Sequence, residues 1–139
     1  LKTAALFHDA GHTVSYDNHE MYSAKMAREI LPQFNYTQGQ IDRICSIIMA
    51  TRLPPEPGDL LEEIICDSDL DYLGRSDFIP VSNTLFEELR AQNKMTDINE
   101  WNKLQVRFIS GHQYFTKTAR SLREVNKQLQ IERIQSLIH

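Results

Sequence analysis

Apolar residues recur every three or four positions through almost the whole chain, and this spacing limits the possible folds more than any other feature of the sequence. Such a repeat places apolar side chains on one face of an α-helix, whereas a half-buried strand needs strict alternation. No alternating run of useful length occurs, and we find no internal repeat or low-complexity tract. The pattern therefore predicts an all-α protein, a compact bundle of about six or seven helices.

Residues that cap or break helices mark the predicted boundaries. Pro32 ends a helix predicted over 19–31, and the proline-rich connector 53–58 cannot continue a helix. Gly11 is predicted to end the first helix, and Gly74 to end a helix that runs from about residue 59 to residue 73. The predicted N-caps, each followed by an apolar stripe, are Thr37, Asp59, Ser82 and Asp97.

The last predicted helix begins near Lys117 and carries an apolar stripe and a basic face. The stripe consists of Leu122, Val125, Leu129 and Ile134, and the basic face consists of Arg120, Arg123 and Lys127. We predict that the stripe is buried and that the basic face is solvated. Two alternatives stay open: the basic face could bind phosphate or a partner, and the stripe could join a homodimer or a companion domain.

Composition excludes several classes of protein. A length of 139 residues suits a single domain over 1–139, and 41% apolar with 24% charged residues is ordinary for a globular protein. No apolar run approaches the roughly 18–20 residues that cross a membrane, so we expect no membrane contact. The formal net charge is −4, without the basic excess that binding to duplex nucleic acid requires.

The cysteines and the first residues bear on location and completeness. Cys45 and Cys66 both lie among isoleucines and are predicted to be buried thiols rather than a disulfide or a metal pair. Because a signal peptide is also missing, the predicted location is the cytoplasm. The chain starts with Leu1, inside an apolar pattern, so we expect it to be an N-terminally incomplete piece of a longer protein.

Two short stretches put ionisable side chains where the helical pattern expects apolar ones. His8 and Asp9 follow the first apolar turn, and Asp67, Asp69 and Asp71 crowd into five residues of a later helix. Such charges are costly unless they are paired or bind a metal, and neighbouring carboxylates raise one another's pKa. A divalent cation would relieve both costs, and this mixture of ligands suits Mn, Fe, Mg or Zn. Solvated helix ends are the alternative.

The same stretches resemble the signatures of the HD-domain phosphohydrolases. Segment 6–12, Leu-Phe-His-Asp-Ala-Gly-His, is similar to the family's His-Asp motif, and segment 64–74, in which Asp69 follows the small Ser68, is similar to its second motif. Between them, residues 19–31 resemble the family's middle helix through His19-Glu20, Ser23-Ala24 and Ile30-Leu31. The resemblance covers residues 1–75, with 76–139 as C-terminal helices. It implies an HD-like bundle that hydrolyses phosphoesters, often in nucleotides or cyclic nucleotides, with a divalent metal.

The resemblance also implies roles for individual residues. His8, Asp9 and Asp69 would hold the cation, with Asp67 as the alternative to Asp69. Asp9 would bridge metal and water or take the water proton, while His12 would donate to a phosphate or shuttle a proton. A cation at this place would lower the pKa of bound water towards about 7.

The resemblance further implies contacts to the substrate, and it shows that one family ligand is missing from this sequence. His19 would contact substrate phosphate or serve as an extra ligand, and Arg52 would bind substrate phosphate through its guanidinium unless it is an ordinary surface residue. Glu20 could orient water or cap its helix. In the family, the first histidine ligand lies on a preceding helix, some tens of residues before the His-Asp motif, and this sequence begins too late to contain it. We therefore expect either that this histidine lies in a missing N-terminal part or that the site of this fragment is incomplete. The alternatives are therefore a catalytically silent HD-type module that senses a nucleotide, and a purely structural helical module.

Overall fold

The computed structural model describes all 139 residues and confirms the all-α prediction, because it contains seven α-helices and no strand. The helices are α1 (Lys2–Phe7), α2 (His19–Ile30), α3 (Gln38–Ala50), α4 (Leu60–Asp69), α5 (Phe78–Ala91), α6 (Ile98–Gly111) and α7 (Lys117–Gln135). Single 3₁₀ turns follow α1, α2 and α4, at Ala10–Thr13, Leu31–Phe34 and Asp71–Gly74. None of the helices is both long enough and apolar enough to cross a membrane.

The chain divides into two compact units, Leu1–Asp69 and Leu70–His139. The first unit contains α1 to α4, and the second contains α5 to α7 with the turn Asp71–Gly74. That residues 1–139 form one domain stays a prediction.

Helix α3 is the centre of the first unit, because α1, α2 and α4 all pack against it. It begins with the predicted capping box: Thr37 Oγ1 accepts from the Gln40 amide at 3.1 Å, and the Gln40 side chain accepts from the Thr37 amide at 2.8 Å. The apolar stripe behind this cap is buried, and its members are Ile41, Ile44, Cys45, Ile47 and Ile48. Both cysteines are free and buried, as predicted.

The start of α4 is fixed by a cap and by an ion pair to α3. Asp59 Oδ1 accepts from the Glu62 amide at 3.1 Å, which confirms Asp59 as the cap. Arg43 on α3 joins the two helices, since its guanidinium lies 2.6 Å from Asp59 Oδ2 and 2.6 Å from Glu62 Oε2. The helix ends at Asp69, earlier than predicted, and the 3₁₀ turn then carries the chain to Gly74.

The second unit packs its helices around two apolar clusters. One contains Leu73, Phe78, Ile109, Ile131 and Ile134, and the other contains Phe86, Leu89 and Trp101. Asp97 caps α6 as predicted, with its carboxylate accepting from the Asn99 and Glu100 amides.

The prediction that Ser82 caps a helix was wrong, because α5 starts at Phe78 and contains Ser82. Burial of Phe78 in the core moves the start upstream, and Pro80 lies in the first turn, where its missing N–H costs nothing. The Ser82 hydroxyl instead donates to the Gln105 side chain on α6.

The predicted orientation of α7 was also wrong for most of its stripe. Leu122, Val125 and Leu129 are exposed, Val125 to 73%, and only Ile134 is buried. Lys127, assigned to the solvated face, is 2% exposed: its ammonium donates to the His112 carbonyl at 2.9 Å and lies 3.1 Å from Glu124 Oε2. A fully partnered ammonium can be buried, and this brings the lysine face inward.

Candidate metal centre

His8 and Asp9 lie at the turn that follows α1. The His8 amide still donates to the Ala4 carbonyl at 2.9 Å, and Asp9 leads directly into the 3₁₀ turn Ala10–Thr13. In this turn His8 Nε2 lies 3.1 Å from Asp9 Oδ2. The side chain of His8 is 19% exposed and that of Asp9 is 57% exposed, so the pair opens to solvent on the aspartate side.

Asp69 joins this pair from the last residue of α4. Its Oδ1 lies 3.2 Å from His8 Nε2, although the two residues are 61 positions apart. The three ligand atoms of His8, Asp9 and Asp69 all lie within 4.8 Å of one another. Atoms that bind one small cation through bonds of about 2.1 Å are about 3 Å apart, so this spacing fits a single divalent ion.

The ring of His8 is oriented by the backbone of its own helix. Nδ1 lies 2.7 Å from the Ala5 carbonyl, which can only accept a hydrogen bond, so Nδ1 carries the proton. Nε2 therefore points at the two carboxylates. Histidines that bind metals are held in this way, with one nitrogen donating to a carbonyl or carboxylate and the other free for the ion.

The electrostatics at Nε2 favour a positive charge. The hydrogen bonds with Asp69 and Asp9 raise the pKa of His8 to about 10, against the opposing effect of burial. The hydrogen bond with His8 in turn lowers the pKa of Asp9 below its ordinary value. A neutral imidazole here would point a lone pair at two carboxylates. The donor set is therefore suited to a cation as well as to a proton.

Two further imidazoles stand on the other side of Asp9. Oδ1 of Asp9 lies 3.3 Å from His19 Nε2 and 3.7 Å from His12 Nε2. The rings of His12 and His19 are stacked, with centroids 3.8 Å apart and planes inclined by 17°. These three residues form a second group with ligand atoms within 4.8 Å, so Asp9 is shared by two groups of possible donors.

Glu20 is the residue at this site whose importance the sequence interpretation underrated. It is buried, and its Oε1 lies 3.5 Å from His19 Nε2. A carboxylate in that position can orient the His19 ring. The available signal was its place directly after a histidine at the start of an apolar-striped helix.

Two residues singled out in the sequence lie apart from these groups. Asp67 belongs to neither group of possible ligands and is 5% exposed, whereas Asp69 belongs to the group that contains His8 and Asp9. Arg52 follows α3 and lines a cavity of about 510 Å³ with Met49 and Glu56, and none of the clustered histidines and aspartates lines that cavity. The substrate-binding role of Arg52 stays a prediction.

Comparison with known proteins gives one match. A family model described as HD domain matches residues 1–73, just over half of the chain. No curated protein and no solved structure matches the chain. The matched residues include both groups of possible ligands and end in the 3₁₀ turn that follows α4.

Proposed function

Because this chain belongs to the HD-domain family, we propose that it is a metal-dependent phosphohydrolase that cleaves a phosphoester bond in a nucleotide or cyclic nucleotide. The family supports the general activity, and the choice of a nucleotide substrate extends it. The observation that carries the proposal is the convergence of His8 Nε2, Asp9 Oδ2 and Asp69 Oδ1 from two distant parts of the chain.

In this proposal His8, Asp9 and Asp69 hold one divalent cation, Mn, Mg, Fe or Zn. Such an ion polarises a phosphoryl oxygen and makes a coordinated water more acidic. The protein's own contribution is to fix the donors: the Ala5 carbonyl holds the His8 ring, and the end of α4 presents Asp69. Two carboxylates and one imidazole balance the charge of a divalent ion.

The residues on the Oδ1 side of Asp9 face the substrate in this proposal. Asp9 is the most exposed of the three ligands, so its second oxygen is placed to orient the attacking water and accept its proton. His12, 39% exposed, donates to a phosphate oxygen or moves a proton, and His19 contacts the phosphate. Arg52 adds a phosphate contact from outside this cluster.

Metal binding and turnover test the proposal together. Metal-stripped protein is titrated with Mn²⁺ by calorimetry and incubated with a panel of phosphodiesters, nucleotides and cyclic nucleotides. We expect Asp9→Ala to weaken Mn²⁺ binding by more than about 100-fold and to abolish turnover. Asp42→Ala removes an exposed carboxylate on α3 and serves as the control, with wild-type binding and turnover expected.

Substitution of His12 separates metal binding from catalysis. We expect His12→Ala to keep Mn²⁺ affinity and to lower turnover by about 100-fold, the range for loss of a general acid or base.

Three outcomes would contradict the proposal. Hydrolysis retained in Asp9→Ala would refute the assigned mechanism. Nucleotide binding without product after long incubation would select the alternative, a catalytically silent sensing module, and absence of any Mn²⁺ binding would leave a structural helical module.

A further inference from the structure

The hydroxyl of Ser23 holds the turn that carries His8, Asp9 and His12. Ser23 lies on α2 and is fully buried. Its Oγ accepts from the Gly11 amide at 2.7 Å and donates to the His8 carbonyl at 2.8 Å. This one hydroxyl therefore acts both as a donor and as an acceptor towards the backbone of the turn, on either side of Asp9.

The backbone at Gly11 touches the first turn of α2 directly. A Cβ added at Gly11 would overlap the carbonyl oxygen of His19, and it would lie 2.8 Å from the Ser23 amide nitrogen. The φ angle of Gly11 is not positive, so close approach rather than backbone conformation requires glycine here. The turn and α2 therefore meet backbone to backbone, at the place where Ser23 binds.

His19 and Ser23 are four residues apart and share one face of α2. Ser23 fixes the backbone of the turn, and His19 places its imidazole 3.3 Å from Asp9 Oδ1 and stacks it on His12. The relative position of the two imidazoles and the aspartate therefore depends on how the turn is seated on α2.

From this arrangement we infer that Ser23 is a positioning residue: it sets the spacing of Asp9 and His12 against His19 without touching substrate or metal. The inference rests on the proposed function in one respect, because that function assigns metal-binding and catalytic roles to Asp9, His12 and His19. A merely structural Ser23 would satisfy two buried backbone groups and affect stability alone. If Ser23 positions the site, its substitution also changes the geometry of the folded site.

Thr37 offers a matched control within the same unit. Its hydroxyl also accepts from a backbone amide, that of Gln40, but at the start of α3. Ser23→Ala removes two hydroxyl bonds to the backbone of the turn, whereas Thr37→Ala removes one hydroxyl bond to the backbone at the start of α3. All proteins are compared in sucrose, which favours the folded state, and circular dichroism confirms the helix content.

The first measurement needs no metal. Stacked aromatic rings shift one another's proton resonances, so the ring protons of His12 and His19 report their stacking by NMR. We expect Ser23→Ala to lose this mutual shift and Thr37→Ala to keep it. Ser23→Cys keeps a weak donor and acceptor and is expected to restore part of the shift.

The second measurement is Mn²⁺ affinity, which links position to function. We expect Ser23→Ala to bind Mn²⁺ about 10-fold more weakly, the range for loss of groups that orient ligands, and Thr37→Ala to bind like wild type. Wild-type stacking and affinity in Ser23→Ala would overturn the inference, as would equal losses in Thr37→Ala. If wild-type protein bound no Mn²⁺, the proposed function would fail, and the ring shifts alone would decide the role of Ser23.

Discussion

The thiol of Cys66 is held in its protonated form by its surroundings. The side chain is 3% exposed and donates to the Ala50 carbonyl at 3.1 Å. Burial, with a smaller contribution from nearby carboxylates, raises the pKa of Cys66 to about 12. The thiolate is the reactive form of cysteine, so this residue is inert near neutral pH.

This pKa has a measurable effect on stability. The pKa is higher in the folded than in the unfolded chain, so the contribution of Cys66 is complete below about pH 9 and is lost as the pH rises towards 12. Between about pH 8 and pH 10.5, we expect wild type to lose about 2 kcal/mol more unfolding free energy than Cys66→Ala. Urea titrations at both pH values measure this difference, and equal losses would contradict it.

Asp69 and Asp67 provide a second test at the scale of single residues. Asp69 reaches His8 Nε2, while Asp67 is buried two residues earlier and belongs to neither donor group. We expect Asp69→Asn to weaken Mn²⁺ binding by more than about 100-fold and Asp67→Asn to bind within a few-fold of wild type. Calorimetry on folded protein decides, and the reverse order would make Asp67 the ligand.

At the scale of the helices, local signals were sufficient for some boundaries. Thr37, Asp59 and Asp97 act within three residues of themselves, so their capping could be predicted from the sequence alone. Ser82 has the same residue type, but its helix start is decided by the burial of Phe78. Contacts formed by the folded chain are not visible in local sequence.

Helix α7 shows the same limit more strongly. Both of its faces contain apolar residues, so periodicity alone did not choose between them. The choice depends on Lys127, whose ammonium finds the His112 carbonyl, Glu124 and the face of Tyr114 5.3 Å away. Glu124 lies three residues away on α7 itself, but His112 and Tyr114 follow α6 and reach Lys127 because α6 packs against α7.

The orientation of α7 predicts a small loss of stability for one substitution and a large loss for another, two residues away. Val125 is exposed, so Val125→Lys should change the unfolding free energy by less than about 0.5 kcal/mol. Lys127→Ala leaves Glu124 and the His112 carbonyl without their ammonium, and we expect a loss of about 2–4 kcal/mol. Urea unfolding of both variants measures this. Larger damage from Val125→Lys would restore the orientation that the sequence suggested.

At the scale of the whole molecule, the candidate site depends on how distant segments of the first unit meet. The order of the motifs could be predicted, because His8-Asp9 and Asp69 resemble known signatures. Their contact could not, since it requires α1 and α4 to pack on the same central helix α3. The grouping of His12 and His19 around Asp9 depends in addition on the bonds of Ser23 to the turn.

A cation held by these two segments should couple their local stabilities. Opening either the turn at His8 or the end of α4 would release the ion, so each opening costs the binding free energy. With Mn²⁺ at about 100 times its dissociation constant, that cost is about 2.7 kcal/mol. Hydrogen exchange should therefore slow in parallel at the His8 amide and in the last turn of α4.

Amides that open without separating the ligands supply the internal control. The Ile41 amide donates to Thr37 in the first turn of α3, and fraying there leaves His8 and Asp69 in place, so we expect little added protection. Asp9→Ala should remove the effect at both reporting segments. Protection that appeared only in residues 70–139 would mean that the ion binds outside the His–Asp cluster, and the metal centre would then have to be sought in the second unit.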